Sequence, residues 1–493
     1  MRRGPVGWLS VGAVTLVCTL VACAPAAFAA RVIVLSKNGR AISENDPFVP
    51  SLTPTPAPVT LPTPSASTAR ATQSKRKPKP SVRSDLARFS RTGAITHSEF
   101  GDYIRTLDEA IGSKNRLSGT RQDELEAVLV SMHDMAVDHE LTPSRLPVLF
   151  ETLARNQQWW TTGPLLSYGQ RVEFAGSQLV WEYYPGQGIE LQQLGSFGKA
   201  DGLYTGGPRD YPAMRQLLNE LIPLAVNRGG ALTWEYYFSF DGGSPPWTSA
   251  MSQGTAIEAL TRAYKAFHNS AYLSLAHRAL ALFTLAPPTG VRVPTSLGAR
   301  YVQYSFAPGT SIINAFLQSL IGLYDYARVS GDPLAKRLFA AGNAEAQAEV
   351  PHFDTGAWSL YQPGVEDDLS YHELVTGFLQ ELCSRTHAAV YCETARHFVA
   401  YLKTPPALTQ LTTRAPVNRS FSIAFRLSKI SHVGIVVLNR RGQILFETSA
   451  YFPYGVHGFA IPPLRQKGTY TVHLAATDLA GNFNRIIGSL SVR

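Results

Sequence analysis

A mainly α chain folded as an αα-toroid, an incomplete α/α barrel, and followed by a small immunoglobulin- or fibronectin-like β-sandwich is what this sequence predicts. Three observations carry the prediction. From Pro212 to Thr404, apolar residues recur at three- to four-residue spacing in successive runs separated by Gly/Pro turns. From residue 415 onward the period drops to two. The chain has 493 residues, 45% hydrophobic and 16% charged, an ordinary globular composition with room for two or three domains.

Residues 1–29 read as an export signal. Arg2 and Arg3 form a basic start, Trp8 to Ala22 an apolar stretch, and Ala27-Phe28-Ala29 a small-residue cleavage site. Leu20-Val21-Ala22-Cys23 offers a second processing route, with Cys23 lipidated. The expected location is therefore secreted or at the cell surface. No other segment approaches the length of a membrane-spanning helix. Residues 30–84 read as a Pro/Ser/Thr-rich tether. Pro50, Pro54, Pro56, Pro58, Pro62 and Pro64 alternate with small polar residues, and Lys75-Arg76-Lys77-Pro78-Lys79 follows; such composition buries no core.

The net charge of +9 is concentrated here, with +8 in residues 1–85 and +1 in the remainder. A nearly neutral folded part argues against a nucleic-acid partner. The basic run suits association with an anionic cell wall or membrane surface.

Residues 85–408 are expected to form the toroid. Leu125, Val128, Leu129, Met132 and Met135 mark one face of a helix within 96–158. Residues 169–205 change texture: Val172, Phe174, Leu179 and Trp181 approach strand alternation, so a short β or loop insert is expected. Helical stripes follow at Leu217, Leu218, Leu221 and Ala225, at Ile257, Leu260 and Tyr264, and at Phe316, Leu317, Leu320 and Leu323, with Asp332-Pro333 opening another helix. Cys383 and Cys392, in an exported chain, are expected to pair as a disulfide between two helices. In 415–493, Phe421, Ile423, Phe425, then Val433, Ile435, Val437, then Tyr470, Val472, Leu474 alternate, with turns at Asn439–Gly442 and Asp478–Asn482.

The common catalytic signatures are missing from their required contexts. Glycosidase-type carboxylate pairs could be drawn from Glu235, Asp241, Asp354, Glu366, Asp367 and Asp368, but spacing certifies none. The stretch Trp234 to Gln253 sets two tryptophans, Glu235 and several amides and hydroxyls around a Gly/Pro turn. That mixture suits a sugar ring, which stacks its C–H face on aromatics and presents hydroxyls at its edge.

Three blocks carry a resemblance. Pro246-Trp247-Thr248-Ser249-Ala250-Met251-Ser252-Gln253-Gly254 is the first. Tyr304 with Ile313-Asn314-Ala315-Phe316 and Ser319-Leu-Ile-Gly-Leu-Tyr-Asp325 is the second. Phe353-Asp-Thr-Gly356 with Tyr361 and Tyr371-His372 is the third. Together with Tyr183–Gly188 and Gly195–Gly198, they resemble the C-terminal catalytic domain of the D-glucuronyl C5-epimerases, which act on heparosan-type polysaccharides. The likeness spans about residues 170–403. It departs from the family at Ser370, at Glu373-Leu374-Val375, at Ala315 and in a shorter Tyr361–Tyr371 interval.

The resemblance implies an acidic polysaccharide substrate and no organic cofactor; no metal ligands are assigned, metal use is open, and the run Glu366-Asp367-Asp368 leaves room for a structural calcium. It implies Tyr304, Tyr361 and Tyr371 as the catalytic groups. C5 epimerisation removes a hydrogen α to a carboxylate and returns a proton to the other face, so two acid–base groups are needed. A phenol ionises near pH 10, and bringing it to about 7 takes roughly 4 kcal/mol. Arg300 is the expected cation for that shift. Asn314, His372 and Gln253 are expected to stabilise the developing carboxylate charge. Trp234 and Trp247 are expected to stack sugar rings, and Glu235 to bind hydroxyls or orient a tyrosine. Two other functions fit the same residues: a polysaccharide lyase of the same toroid class, and a glycan-binding surface protein without catalysis. The sequence fixes no oligomeric state and is compatible with a dimer.

Overall fold

The computed structural model describes residues 29–50 and 80–493. The expected export signal through residue 28, with Cys23, and most of the expected tether, residues 51–79, lie outside the described residues. Among the described residues, no helix is long and apolar enough to cross a membrane.

The first part of the expected tether is a β-hairpin. Strand β1 (Ala29–Leu35) and strand β2 (Ala41–Pro50) pair antiparallel. The cause lies in Val32, Leu35 and Val49, which are buried; the Pro/Thr-rich composition that cannot bury a core begins only after residue 50. The hairpin is fastened to the body by Lys199, whose buried ammonium pairs with Asp46 and Glu173, both at 2.8 Å. The tether's last residues already belong to helix α1 (Val82–Arg91), opened by a capping box at Ser81.

Helices α2 (His97–Lys114), α3 (Thr120–Val137) and α4 (Leu146–Thr162) follow α1. In α3, Leu125, Val128, Met132 and Met135 are buried. Residues 169–205 hold three strands, β3 (Arg171–Phe174), β4 (Trp181–Tyr184) and β5 (Gly188–Leu191), and then helix α5 (Gln193–Thr205). Short strands thus stand where a short β or loop segment is expected. The strands join the N-terminal hairpin in one sheet of order β2-β1-β3-β4-β5, in which β1 and β3 run parallel.

From α5 onward the chain forms helix pairs. Helix α6 is Tyr211–Leu221, α7 Ala250–Phe267, α8 Ala271–Leu280, α9 Ile313–Ser330, α10 Pro333–Glu349, α11 Leu369–Thr386 and α12 Ala389–Tyr401. Helices α5, α7, α9 and α11 lie side by side as an inner row, each packed against the helix that follows it. The approach of α7 to α9 is close: a Cβ on Gly322 would overlap the carbonyl of Gly254. A disulfide joins Cys383 of α11 to Cys392 of α12.

Because each outer helix returns the chain, all four inner helices start at the same end of the row. The segments that precede them gather there. They carry β6 (Val226–Arg228) and β7 (Ala231–Thr233) before α7, β8 (Arg292–Pro294) and β9 (Ala299–Tyr301) before α9, and β10 (Leu360–Gln362) and β11 (Val365–Glu366) before α11.

The remaining strands are β12 (Leu408–Gln410), β13 (Arg414–Ala415), β14 (Phe421–Leu427), β15 (Ser431–Leu438), β16 (Ile444–Phe452), β17 (Gly455–Ile461), β18 (Gly468–Asp478) and β19 (Phe483–Val492). They form two sheets, β12-β14-β17 and β13-β19-β18-β15-β16. Ile423 and Phe425 of one sheet share a core with Val433, Ile435, Val437, Val472 and Leu474 of the other. This two-sheet unit begins at Leu408, a little earlier than the alternation in the sequence.

Candidate active site

A cavity of about 700 Å³ opens where the inner helices begin. Its walls come from every segment gathered there: Tyr184 and Gln192 from the β4–α5 region, Tyr236, Phe238, Phe240 and Trp247 from the segment before α7, Gln303 and Tyr304 from that before α9, and Tyr371 from α11. The Trp234–Gln253 stretch supplies the aromatic wall by closing on itself. Tyr236 and Trp247 exchange backbone hydrogen bonds of 2.8 and 3.1 Å, and their rings stack at 4.3 Å. The Trp247 indole donates to the Phe238 carbonyl at 2.8 Å, and the residue lines the cavity.

Three predicted tyrosines meet here. Tyr304 lines the cavity, packs edge-on to Trp247 at 5.6 Å and is hydrogen-bonded to Tyr361. The Tyr361 and Tyr371 rings meet at 5.2 Å. Tyr371 stands in the first turn of α11, where the Asp368 carboxylate accepts its backbone N–H at 2.9 Å. Tyr304 and Tyr371 line the cavity, and Tyr361 contacts both.

The electrostatics differ from expectation. Burial holds the Tyr304 phenol well above its usual range, and the neighbouring Tyr361 and Tyr371 add to the effect. Arg300 does not relieve it. That guanidinium is bound by the Glu349 carboxylate, with Nε at 2.7 Å, and it does not line the cavity.

The cation that does line the cavity is Arg171, which sequence reasoning missed. It opens β3 and lies opposite Glu182 in the β3–β4 register, with Nε 2.6 Å from the Glu182 carboxylate. Its Nη1 is buried and has no hydrogen-bond partner among the described residues. Room for that nitrogen exists because residue 195 is glycine; a Cβ there would collide with it. The one sign in the sequence was Glu182, a carboxylate set in the apolar run Leu179–Tyr184, which calls for a cation. Tyr168 also lines the cavity, and burial pushes its phenol up to about 12.

Other predicted site residues belong to the frame around the cavity. Trp234 is 1% exposed, packs edge-on to Phe197 at 4.8 Å and donates to the Leu221 carbonyl at 2.9 Å. Glu235 is buried between Arg145 Nε at 2.7 Å and Arg228 Nη1 at 2.6 Å, and accepts from the Tyr237 hydroxyl at 2.9 Å. Burial alone would raise its carboxyl; the two guanidiniums outweigh that and hold it below the usual range. Gln253 donates to the Leu232 and Ala279 carbonyls at 2.7 and 3.1 Å. The Asn314 side-chain oxygen accepts from the adjacent Ala315 N–H at 2.7 Å.

His372 is sealed against Trp358, with ring centres 3.7 Å apart, and its two nitrogens contact Ser359 Oγ at 2.7 Å and the Phe398 carbonyl at 3.0 Å. Burial pushes this imidazole down to about 4, so it is neutral at pH 7. These polar groups look functional in a sequence because each sits among apolar residues. In the fold, each is engaged with its own core neighbours, although the Gln253 side-chain oxygen is buried with no partner among the described residues.

The three acidic residues considered for calcium each have a different partner. Glu366 accepts backbone N–H groups of Ile430 and Tyr454, Asp367 accepts from Ser359 Oγ at 2.5 Å, and Asp368 caps α11.

Comparison with known proteins bears on residues 228–400, which match the family described as D-glucuronyl C5-epimerase C-terminus. D-glucuronyl C5-epimerase of Caenorhabditis elegans is 32% identical over 178 residues, covering 32% of this chain and 29% of that protein. An uncharacterized protein of Methanocaldococcus jannaschii is 25% identical over 137 residues, covering 26% of this chain and 44% of that one. The chain thus spans less than half the length of either relative. Among solved structures, a sugar epimerase from a ruminal bacterium aligns with a TM-score of 0.35 at 12% identity, covering 52% of this chain and 69% of that one. Cellobiose 2-epimerase from Bacillus thermoamylovorans aligns with a TM-score of 0.33 at 12% identity, covering 43% and 59%.

The matched segment contains Tyr304, Tyr361 and Tyr371, whereas Tyr168, Arg171, Glu182 and Tyr184 precede it. Through residues 228–400, the chain is thus similar to the D-glucuronyl C5-epimerase C-terminal family.

Proposed function

We propose that this protein is an exported epimerase that inverts C5 of uronic acid residues, glucuronate to iduronate, within a polysaccharide. One observation carries the proposal: a phenol cluster and an arginine with an unpartnered donor share one aromatic-walled cavity. Arg171 takes the sugar carboxylate, and Trp247 supports the ring. A base withdraws the C5 proton, the C5–H electron pair moves into the carboxylate, and an enediolate dianion forms beside Arg171. A second phenol delivers a proton to the opposite face, re-forming the C5–H bond with inverted configuration. Tyr304, which burial keeps protonated, is the donor. Tyr371 is the acceptor, and Tyr361 links the two. The roles exchange in the reverse direction, and no electrons are gained or lost.

We also read the helix pairs as an incomplete αα-toroid and residues 415–493 as an immunoglobulin-like sandwich. The reading includes export by residues 1–29, or retention at the surface through Cys23.

Incubation with heparosan in deuterated water tests the proposal. Deuterium at C5 without chain cleavage is the expected result. Unsaturated uronate ends would make the protein a lyase, new reducing ends alone a hydrolase, and binding without chemistry a glycan-binding protein. Arg171→Gln is expected to lower C5 exchange by about 10²–10³-fold, the usual loss for one group stabilising a developing oxyanion. Gly195→Ala pushes the Arg171 guanidinium from its place and is expected to raise the KM for heparosan in the same assay. An unchanged KM would show that the position of Nη1 does not matter.

A further inference from the structure

Tyr361 stands on the β10–β11 hairpin, whose last residue, Glu366, pairs with Leu360 beside the tyrosine. The Glu366 carboxylate reaches out of the helical part. One oxygen accepts the Ile430 N–H at 2.8 Å, and the other accepts the Tyr454 N–H at 2.7 Å. Those amides lie just before β15 and in the turn between β16 and β17, so a single side chain gathers two loops of the C-terminal β unit against the hairpin.

A second tie lies behind it. Lys429 is 1% exposed and pairs with Asp478 of β18 at 2.5 Å. Its ammonium also donates to the Tyr401 and Thr404 carbonyls at the end of α12, at 2.8 and 2.5 Å, and sits 5.1 Å from the centre of the Trp358 ring. Trp358 in turn stacks on His372, the residue after Tyr371. Both ties end one residue from a phenol of the cluster.

We propose that the C-terminal β unit is a positioning element of the active site, with Glu366 as the residue through which it sets the Tyr361 hairpin. Glu366 touches no substrate in this account; it acts by fixing where the Tyr361 hydroxyl meets Tyr304. The inference rests on the epimerase reading of the tyrosines.

The test uses the full chain and the substitutions Glu366→Ala and Glu366→Gln. Turnover at saturating heparosan, normalised to folded protein, is expected to fall roughly 10- to 100-fold in Glu366→Ala, as a misplacement of about 1 Å does. KM should change little. Glu366→Gln keeps one oxygen to accept an amide hydrogen bond and is expected to fall between wild type and Glu366→Ala. It also serves as the test variant should Glu366→Ala not fold.

Amide hydrogen exchange across Leu360–Glu366 is a readout independent of activity, and it should quicken in both variants. Wild-type turnover in Glu366→Ala, or unchanged protection of the hairpin, would overturn the proposal. If the unaltered protein shows no C5 exchange, the epimerase reading has failed, and hairpin protection alone then decides whether the β unit holds this segment.

Discussion

Tyr304→Phe is expected to lower C5 deuterium exchange by about 10²–10⁴-fold, the contribution of a positioned acid–base group. The substitution isolates the hydroxyl. The Tyr304 ring packs against Trp247, Phe240 and Phe306 with centres 5.6, 5.7 and 5.2 Å apart, and a phenylalanine keeps all three contacts. Only the hydrogen bond with Tyr361 is lost, which costs about 1 kcal/mol of stability. Activity and folding therefore separate in one variant. Because the phenol lies above its ordinary range, its protonated form persists to higher pH than that of a free tyrosine. The alkaline limb of the rate profile is accordingly set by another group. Exchange at the wild-type rate, measured by mass spectrometry of digested heparosan, would remove Tyr304 from the chemistry.

The largest loss of stability is expected from Glu235→Ala, about 3–5 kcal/mol, because it strands buried charge. Arg145 holds Glu235 through Nε and Nη2 at 2.7 and 2.9 Å, and Arg228 adds Nη1 at 2.6 Å. With the carboxylate gone, the two guanidiniums are left in a site where Arg145 is only 9% exposed and Arg228 11%. Glu235→Gln keeps the shape without the charge and should cost less. Chemical denaturation measures both. A midpoint close to wild type in Glu235→Ala would contradict the assignment of Glu235 to the frame, and lost turnover in folded Glu235→Gln would return it to the substrate.

The inner helices were legible in the sequence because each buries a stripe: Ile257 and Leu260 in α7, and Phe316, Leu317, Leu320 and Leu323 in α9, are all buried. The C-terminal sheets were legible for the same reason at period two, with Val433, Ile435 and Val437 all inward. The N-terminal hairpin was hidden by its neighbour in sequence. Its apolar positions are few, and β1 finds a partner in β3, far along the chain.

The same distance concealed half of the cavity. Tyr304, Tyr361 and Tyr371 stand in recognisable blocks, but Arg171 acquires its meaning from a cross-strand neighbour and from the missing side chain at Gly195. Conversely, Glu235 and His372 drew attention as polar residues in apolar company, and only coordinates reveal that core groups already satisfy them.

The N-terminal hairpin alters the mechanics of any attachment to a surface. Strand β2 is packed on α5, and α1 on α2 and α3, so the described segments on either side of residues 51–79 are packed into the helical part of the molecule. An anchor at Cys23 would have only a few residues between it and β1, which starts at Ala29.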